Sequence, residues 1–171
     1  MRRFFTGVAV GIVATLLVIT LTIRLWPWDV KAVSVPSKVE TSLMRDLLSR
    51  GIDREARPVA VPLPASEANL RAGLKIFRTN CAGCHGDSTS PSLWGTTAFL
   101  PRVPQFARHP PDWKIWQIRW IVKNGLRNTA MGAWAALMSD QQIWQVSLFL
   151  SHLGSLPPAV AAEWKHSPDM P

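Results

Sequence analysis

Cysteine is scarce: the 171-residue chain has two, too few for the disulfide framework that staples small secreted folds. Acidic residues are also few, 11 Asp+Glu against 19 Lys+Arg, for a formal net charge of +8. Arg2, Arg3 and Arg24 flank one apolar run, and without them 16 basic residues face 11 acidic ones, a surplus of +5 that does not indicate nucleic acid. Strand signals are almost absent, as are internal repeats and low-complexity tracts. The length excludes a large multidomain enzyme, and 47% hydrophobic with 18% charged residues exclude a disordered tail. One modest all-helical domain plus a short segment is the architecture that remains.

Charge is missing altogether from Phe4 to Ile23, a run of about twenty residues, the length a helix needs to cross a bilayer core. It ends at Arg24-Leu25-Trp26-Pro27-Trp28 rather than at small residues of A-x-A type, so residues 1–27 read as an uncleaved anchor and not as a cleaved signal peptide. Arg2 and Arg3 favour a cytoplasmic N-terminus, with Trp26 and Trp28 at the far interface. The remainder is then expected outside the cytoplasm, on the periplasmic face of a bacterial inner membrane.

Residues 28–65 read as a linker. Within it Ser37 and Glu40 form a capping box, Leu43, Met44, Leu47 and Leu48 follow at helical spacing, and Gly51 reads as a stop, which predicts a short amphipathic helix near 37–50. Arg57 to Pro64 holds three prolines and predicts an extended connector. Beyond it, Ser66 caps a helix carrying Leu70, Leu74 and Phe77. A second helix begins near Asp112, places Trp113, Trp116 and Trp120 along one side, and stops at Asn124-Gly125. A third runs from Ser139, with Gln142 as its capping partner, to Gly154. Pro157-Pro158 follow, and residues 158–171 are expected to be a tail. The loop from Asp87 to Pro111 is too long for an ordinary small bundle, so something other than side chains should organise it.

Cys81-Ala82-Gly83-Cys84-His85 is the C-x-x-C-H pattern of covalent haem attachment, two thiols spaced for two vinyl groups and an adjoining imidazole for iron. A redox C-x-x-C would open a helix after a strand, whereas this one closes a helix in a chain without a βαβ pattern. Structural zinc would want a further ligand pair, and only the scattered His109, His152 and His166 are available. His109 reads as a solvated loop residue, His152 as a helix C-terminal cation and His166 as tail. One attached haem supplies the apolar core that a domain of residues 66–157 lacks. Iron held by His85 takes a sixth ligand or stays open, and methionine suits electron transfer. Met131, in the loop Leu126 to Ala136, is the candidate; Met138 lies at a helix edge, Met44 in the linker helix and Met170 in the tail. Trp116 and Trp120 read as core that includes the haem edge.

These features resemble the mono-haem class I cytochromes c, in particular the type found in haem-c subunits of respiratory oxidases and in membrane-anchored periplasmic cytochromes. The likeness covers residues 66–157: Gly73-Leu74-Lys75-Ile76-Phe77, Cys81 to Gly86, Pro91-Ser92-Leu93-Trp94-Gly95, Asn124-Gly125-Leu126, Thr129-Ala130-Met131-Gly132-Ala133-Trp134 and the closing helix from Ser139 to Leu153. It implies the cytochrome c fold, with first and last helices crossing near Gly73 and Phe149. It also implies thioethers at Cys81 and Cys84, axial ligation by His85 and Met131, a carbonyl at Pro91 accepting the imidazole N–H, and haem contacts from Leu93, Trp94 and Trp134. The family usually has proline after the axial methionine, where this chain has Gly132. The expected function is single-electron transfer without catalysis of its own, between a redox donor and acceptor, either as a freely diffusing tethered carrier or as a fixed subunit of a respiratory or photosynthetic complex, with the amphipathic segment at 37–50 leaning toward the subunit. The rival expectation is a haem enzyme or gas sensor with a labile sixth ligand.

Overall fold

The computed structural model describes residues 1–166; Met170 lies outside the described residues. It is all-helical, with no strand among the described residues. The chain divides into two compact units, Met1–Lys31 and Ala32–Pro171.

The first unit is one helix, α1 (Arg2–Leu25), none of whose residues is buried and which is long and apolar enough to cross a membrane. Its four threonines are satisfied internally: the hydroxyls of Thr6, Thr15, Thr20 and Thr22 donate to the carbonyls four residues earlier at 2.8–2.9 Å. No side-chain donor of the apolar stretch then needs water.

The second unit opens with α2 (Lys38–Glu55), whose N-cap Ser37 accepts the Glu40 N–H at 3.1 Å, as the capping box predicts. The helix does not stop at Gly51. It runs another turn because Ile52 and Ala56 bury themselves in the domain, at 1% and 3% exposure, and Asp53 accepts a 2.8 Å bond from Gln117. That burial outweighs the roughly 1 kcal/mol helix cost of one glycine. Leu43, Met44 and Leu47 remain exposed.

Five helices follow where three were expected: α3 (Glu67–Asn80), α4 (Ala82–His85), α5 (Leu93–Thr97), α6 (Ile115–Asn124) and α7 (Asp140–Ser151). Ser66 and Ser139 cap α3 and α7 as read, and Gln142 returns the bond to the Ser139 N–H. The N-cap of α6 is Lys114, whose N–H is accepted by the Gln117 side chain, so Trp113 precedes the helix. α3, α6 and α7 share one core of Leu74, Phe77, Ile118, Val122, Ile143, Val146, Phe149 and Leu150. α3 and α7 cross at Gly73, where any Cβ would lie 2.7 Å from the Phe149 Cβ and collide with the Gln145 carbonyl. Glycine is required there so that the two backbones can touch.

Residues 158–165 are not a tail. They form α8 (Pro158–Lys165), with Pro158 at the first helical position, where its missing N–H costs nothing. Val160 packs on Leu70 and Leu148, and Trp164 sets its edge against Phe77 and Phe149 at 5.7 and 5.4 Å between ring centroids. The Arg78 guanidinium donates to the carbonyls of Trp164 and His166 and pairs with Asp87 at 3.0 Å.

Candidate functional site

α4 is one helical turn continuing from the end of α3, with the N–H groups of Cys84 and His85 both bonded to the Cys81 carbonyl. That turn brings positions 81, 84 and 85 to one side. Cys81 and Cys84 are half-buried free thiols. Burial, with Cys84 nearby, pushes the Cys81 thiol up to about 12. A dithiol redox centre needs the opposite shift. Among the described residues no three His, Cys, Asp or Glu side chains cluster, so zinc has no closed ligand set.

The His85 Nδ1 lies 2.9 Å from the Pro104 carbonyl oxygen. A carbonyl only accepts, so Nδ1 carries the proton and Nε2 presents its lone pair. Burial holds the imidazole pKa below its usual value, with the Pro104 bond opposing, which also favours the neutral ring. Phe106 stacks on the imidazole at 4.3 Å and 9°, fixing the plane of the ring.

The acceptor is therefore Pro104, not Pro91. Loop 101–106 is stitched over the attachment turn: Gln105 Nε2 donates to the Cys84 carbonyl at 3.0 Å, and its Oε1 accepts the Ser92 N–H at 2.8 Å. The Phe106 N–H donates to the His85 carbonyl at 3.3 Å and that of Val103 to the Gly95 carbonyl at 3.1 Å. Pro91 is exposed and lies instead beside Gly86, where an added Cβ would approach the Pro91 Cα at 3.0 Å. Pro104-Gln105-Phe106 repeats the Pro-x-apolar spacing of Pro91-Ser92-Leu93, and that repetition is the signal by which it could have been found.

Met131 is half-buried against the α3–α6–α7 core, as are Cys81, Phe106 and Trp134. Its loop is strapped to the end of α6: Leu126 N–H to Met131 O at 2.9 Å, Trp134 N–H to Val122 O at 3.1 Å, and Met131 N–H to the Thr129 hydroxyl at 3.0 Å. Gly125 makes this closeness feasible. It sits at φ +69°, and a Cβ there would come within 2.8 Å of the Met131 carbonyl. Trp116 and Trp120 are half-buried on α6. Leu93 and Trp94 on α5 are 77% and 59% exposed, and Trp94 meets the edge of Phe99 at 4.7 Å.

Two thiols on one helical turn, a neutral imidazole with a free Nε2 and a thioether held in a tight loop at the same core form a donor set that fits haem c. The comparisons agree. The family described as "Cytochrome C oxidase, cbb3-type, subunit III" matches residues 68–150. The chain is 30% identical over 92 residues to cytochrome c6 of Thermosynechococcus vestitus, covering 54% of this chain and 77% of that one. It is 31% identical over 83 residues to cytochrome c6 of Synechococcus elongatus, covering 48% and 88%. A chain of the Kuenenia stuttgartiensis reducing HAO-like protein complex aligns at 22% identity and TM-score 0.37, covering 74% of this chain and 63% of that one, and at that score it carries no argument. With the C-x-x-C-H turn, the crossing at Gly73 and two relatives covered over most of their length, the chain belongs to the class I c-type cytochromes, electron carriers whose haem c is bound covalently.

Proposed function

We propose that this cytochrome is anchored by α1 in the bacterial cytoplasmic membrane with its haem domain on the outer side, and that it carries single electrons as a subunit of a membrane respiratory or photosynthetic complex. The observation that carries the electron-transfer reading is the fixed tautomer of His85, whose Nε2 would bind the haem iron, with the Met131 thioether as the second donor that would hold it. Haem c, when bound, supplies a one-electron couple. Cys81 and Cys84 tether it, and the Pro104 carbonyl, by accepting the Nδ1 proton, makes Nε2 the more basic ligand. A thioether opposite an imidazole raises the reduction potential and closes the site. Trp134, packed at the core beside Met131, and the half-buried Trp116 and Trp120 would supply apolar surface to exclude water from a bound haem. Leu93 and Trp94, exposed on the helix that loop 101–106 stitches to the attachment turn, would supply apolar surface beside the haem.

The anchor is supported by α1 itself, apolar, unburied and with every threonine satisfied. The subunit reading is supported by the stripe Leu43, Met44 and Leu47 on α2, which stays exposed among the described residues. Two experiments test the proposal. Voltammetry of Met131→Ala should show a lower potential and an altered visible spectrum, whereas Met138→Ala should change neither; an unaltered Met131→Ala spectrum contradicts the ligand assignment. Native-gel separation of mild-detergent extracts, stained for haem, should place the chain in a discrete large band, which deletion of 37–50 dissolves with the spectrum intact. A band of the single chain contradicts the subunit reading.

A further inference from the structure

Arg78, near the end of α3, joins α8 to the turn that follows His85. Its Nε donates to Asp87 Oδ2 at 3.0 Å and its Nη2 to Asp87 Oδ1 at 3.4 Å, a two-point pair whose side chains are only 19% and 16% exposed. The same Nη2 donates to the carbonyls of Trp164 and His166 at 2.9 and 2.8 Å, and the guanidinium lies 5.7 Å from the Trp164 ring. These bonds are charge-assisted, and the planar fork of arginine engages the carboxylate and the α8 carbonyls together. Asp87, two residues after His85, closes a turn. Its N–H donates to the Ser90 carbonyl at 3.0 Å, its carbonyl accepts the Ser90 N–H at 3.3 Å, and its carboxylate accepts the Ser88 N–H at 2.6 Å. The turn folds back on Gly86, where an added Cβ would stand 2.9 Å from the Ser90 carbonyl and 2.8 Å from Gln105 Oε1. Gln105 adjoins Pro104, whose carbonyl accepts the Nδ1 proton of His85. An unbroken set of hydrogen bonds and close contacts therefore runs from α8 to the imidazole.

We propose that Arg78 is a positioning residue for the axial imidazole: by clamping the Asp87 turn to α8 it holds Gly86 and Gln105, and through them the Pro104 carbonyl, where Nε2 stays a strong donor to the haem iron. α8 then helps to set the reduction potential. The inference rests on His85 being the iron ligand. A firm Pro104 bond makes the imidazole more basic and favours ferric iron, so loosening the clamp raises the potential. A charge acting through space leaves a different pattern. Losing the Arg78 cation alone lowers the potential, losing the Asp87 anion alone raises it, and losing both cancels.

The test uses the full-length, haem-loaded protein and the double variant Arg78→Ala/Asp87→Ala, which removes one charge of each sign. At a fixed ambient potential its ratio of ferric to ferrous protein should fall severalfold below that of wild type. In NMR of the reduced protein, the His85 Nδ1 proton should exchange with solvent at least tenfold faster. Arg78→Lys keeps the charge without the fork, and should move both readouts in the same direction by less, even where the double variant fails to fold. Leu70→Ala, in the buried cluster with Leu148 and Val160, lowers stability without touching this chain of contacts and should move neither. An unchanged ratio and unchanged exchange in a folded double variant, or in Arg78→Lys, overturns the positioning role. Equal shifts in Leu70→Ala overturn it too, by making them a consequence of lost stability. If the His85 ring protons of wild type lack the large ring-current shift of an iron-bound imidazole, the ligand reading fails instead, whatever the variants do.

Discussion

His85 and Pro104 are 19 residues apart in sequence and joined by a 2.9 Å bond from the imidazole Nδ1 to the proline carbonyl. The carbonyl cannot be deleted by a side-chain change, but Gln105, which holds its loop, can. Gln105→Leu removes the partners of the Cys84 carbonyl and the Ser92 N–H and should cost about 1–3 kcal/mol in chemical denaturation. With the Pro104 carbonyl less firmly placed, Nε2 becomes a weaker donor and the reduction potential should rise in voltammetry.

Gly125 and Gly132 flank Met131 and should respond oppositely to the same change. At Gly125, φ of +69° and the nearby Met131 carbonyl leave no room for a Cβ, so Gly125→Ala should cost about 1–3 kcal/mol and shift the visible spectrum as the Met131 loop moves. At Gly132 nothing lies within 4 Å, so Gly132→Ala should change stability by no more than about 0.5 kcal/mol and leave the spectrum alone. Paired thermal melts and spectra check both.

A second glycine pair tests the fold. Gly73→Ala forces α3 and α7 apart and should destabilise by about 1–3 kcal/mol or more. Gly51→Ala, in the middle of α2 with open space around it, should stabilise by about 0.5–1 kcal/mol.

Trp164 is 8% exposed and packs its ring against both Phe77 and Phe149. Trp164→Ala should cost about 3–5 kcal/mol in denaturant titration. A cost near zero would return residues 158–165 to the status of a tail.

The parts of this molecule that were legible in its sequence are those specified within one helical turn or by one family motif. Ser37, Ser66 and Ser139 announce their helices because capping is local, and Gly73 with Phe149 marks the helix crossing because the motif carries it. The C-x-x-C-H turn names its own cofactor. What escaped depended on distant partners. Pro91-Ser92-Leu93 and Pro104-Gln105-Phe106 offer the same pattern, and the choice between them is made by Gln105 reaching Cys84 and Ser92. Pro157-Pro158 reads as a stop, yet proline also starts helices, and the burial of Trp164 against Phe77 and Phe149 and of Val160 against Leu70 and Leu148 makes α8 worthwhile. The extra turn of α2 beyond Gly51 follows from where Ile52 buries itself. Arg78 carries no signal at all, because two of its acceptors are backbone carbonyls that any residue would provide.

The most direct test of the electron-carrier account is exposure of the reduced full-length protein to carbon monoxide at neutral pH, followed by visible spectroscopy. Met131 closing the site opposite His85 predicts no spectral change in wild type and rapid binding in Met131→Ala. Rapid binding in wild type would contradict the closed site and make this cytochrome a haem enzyme or gas sensor.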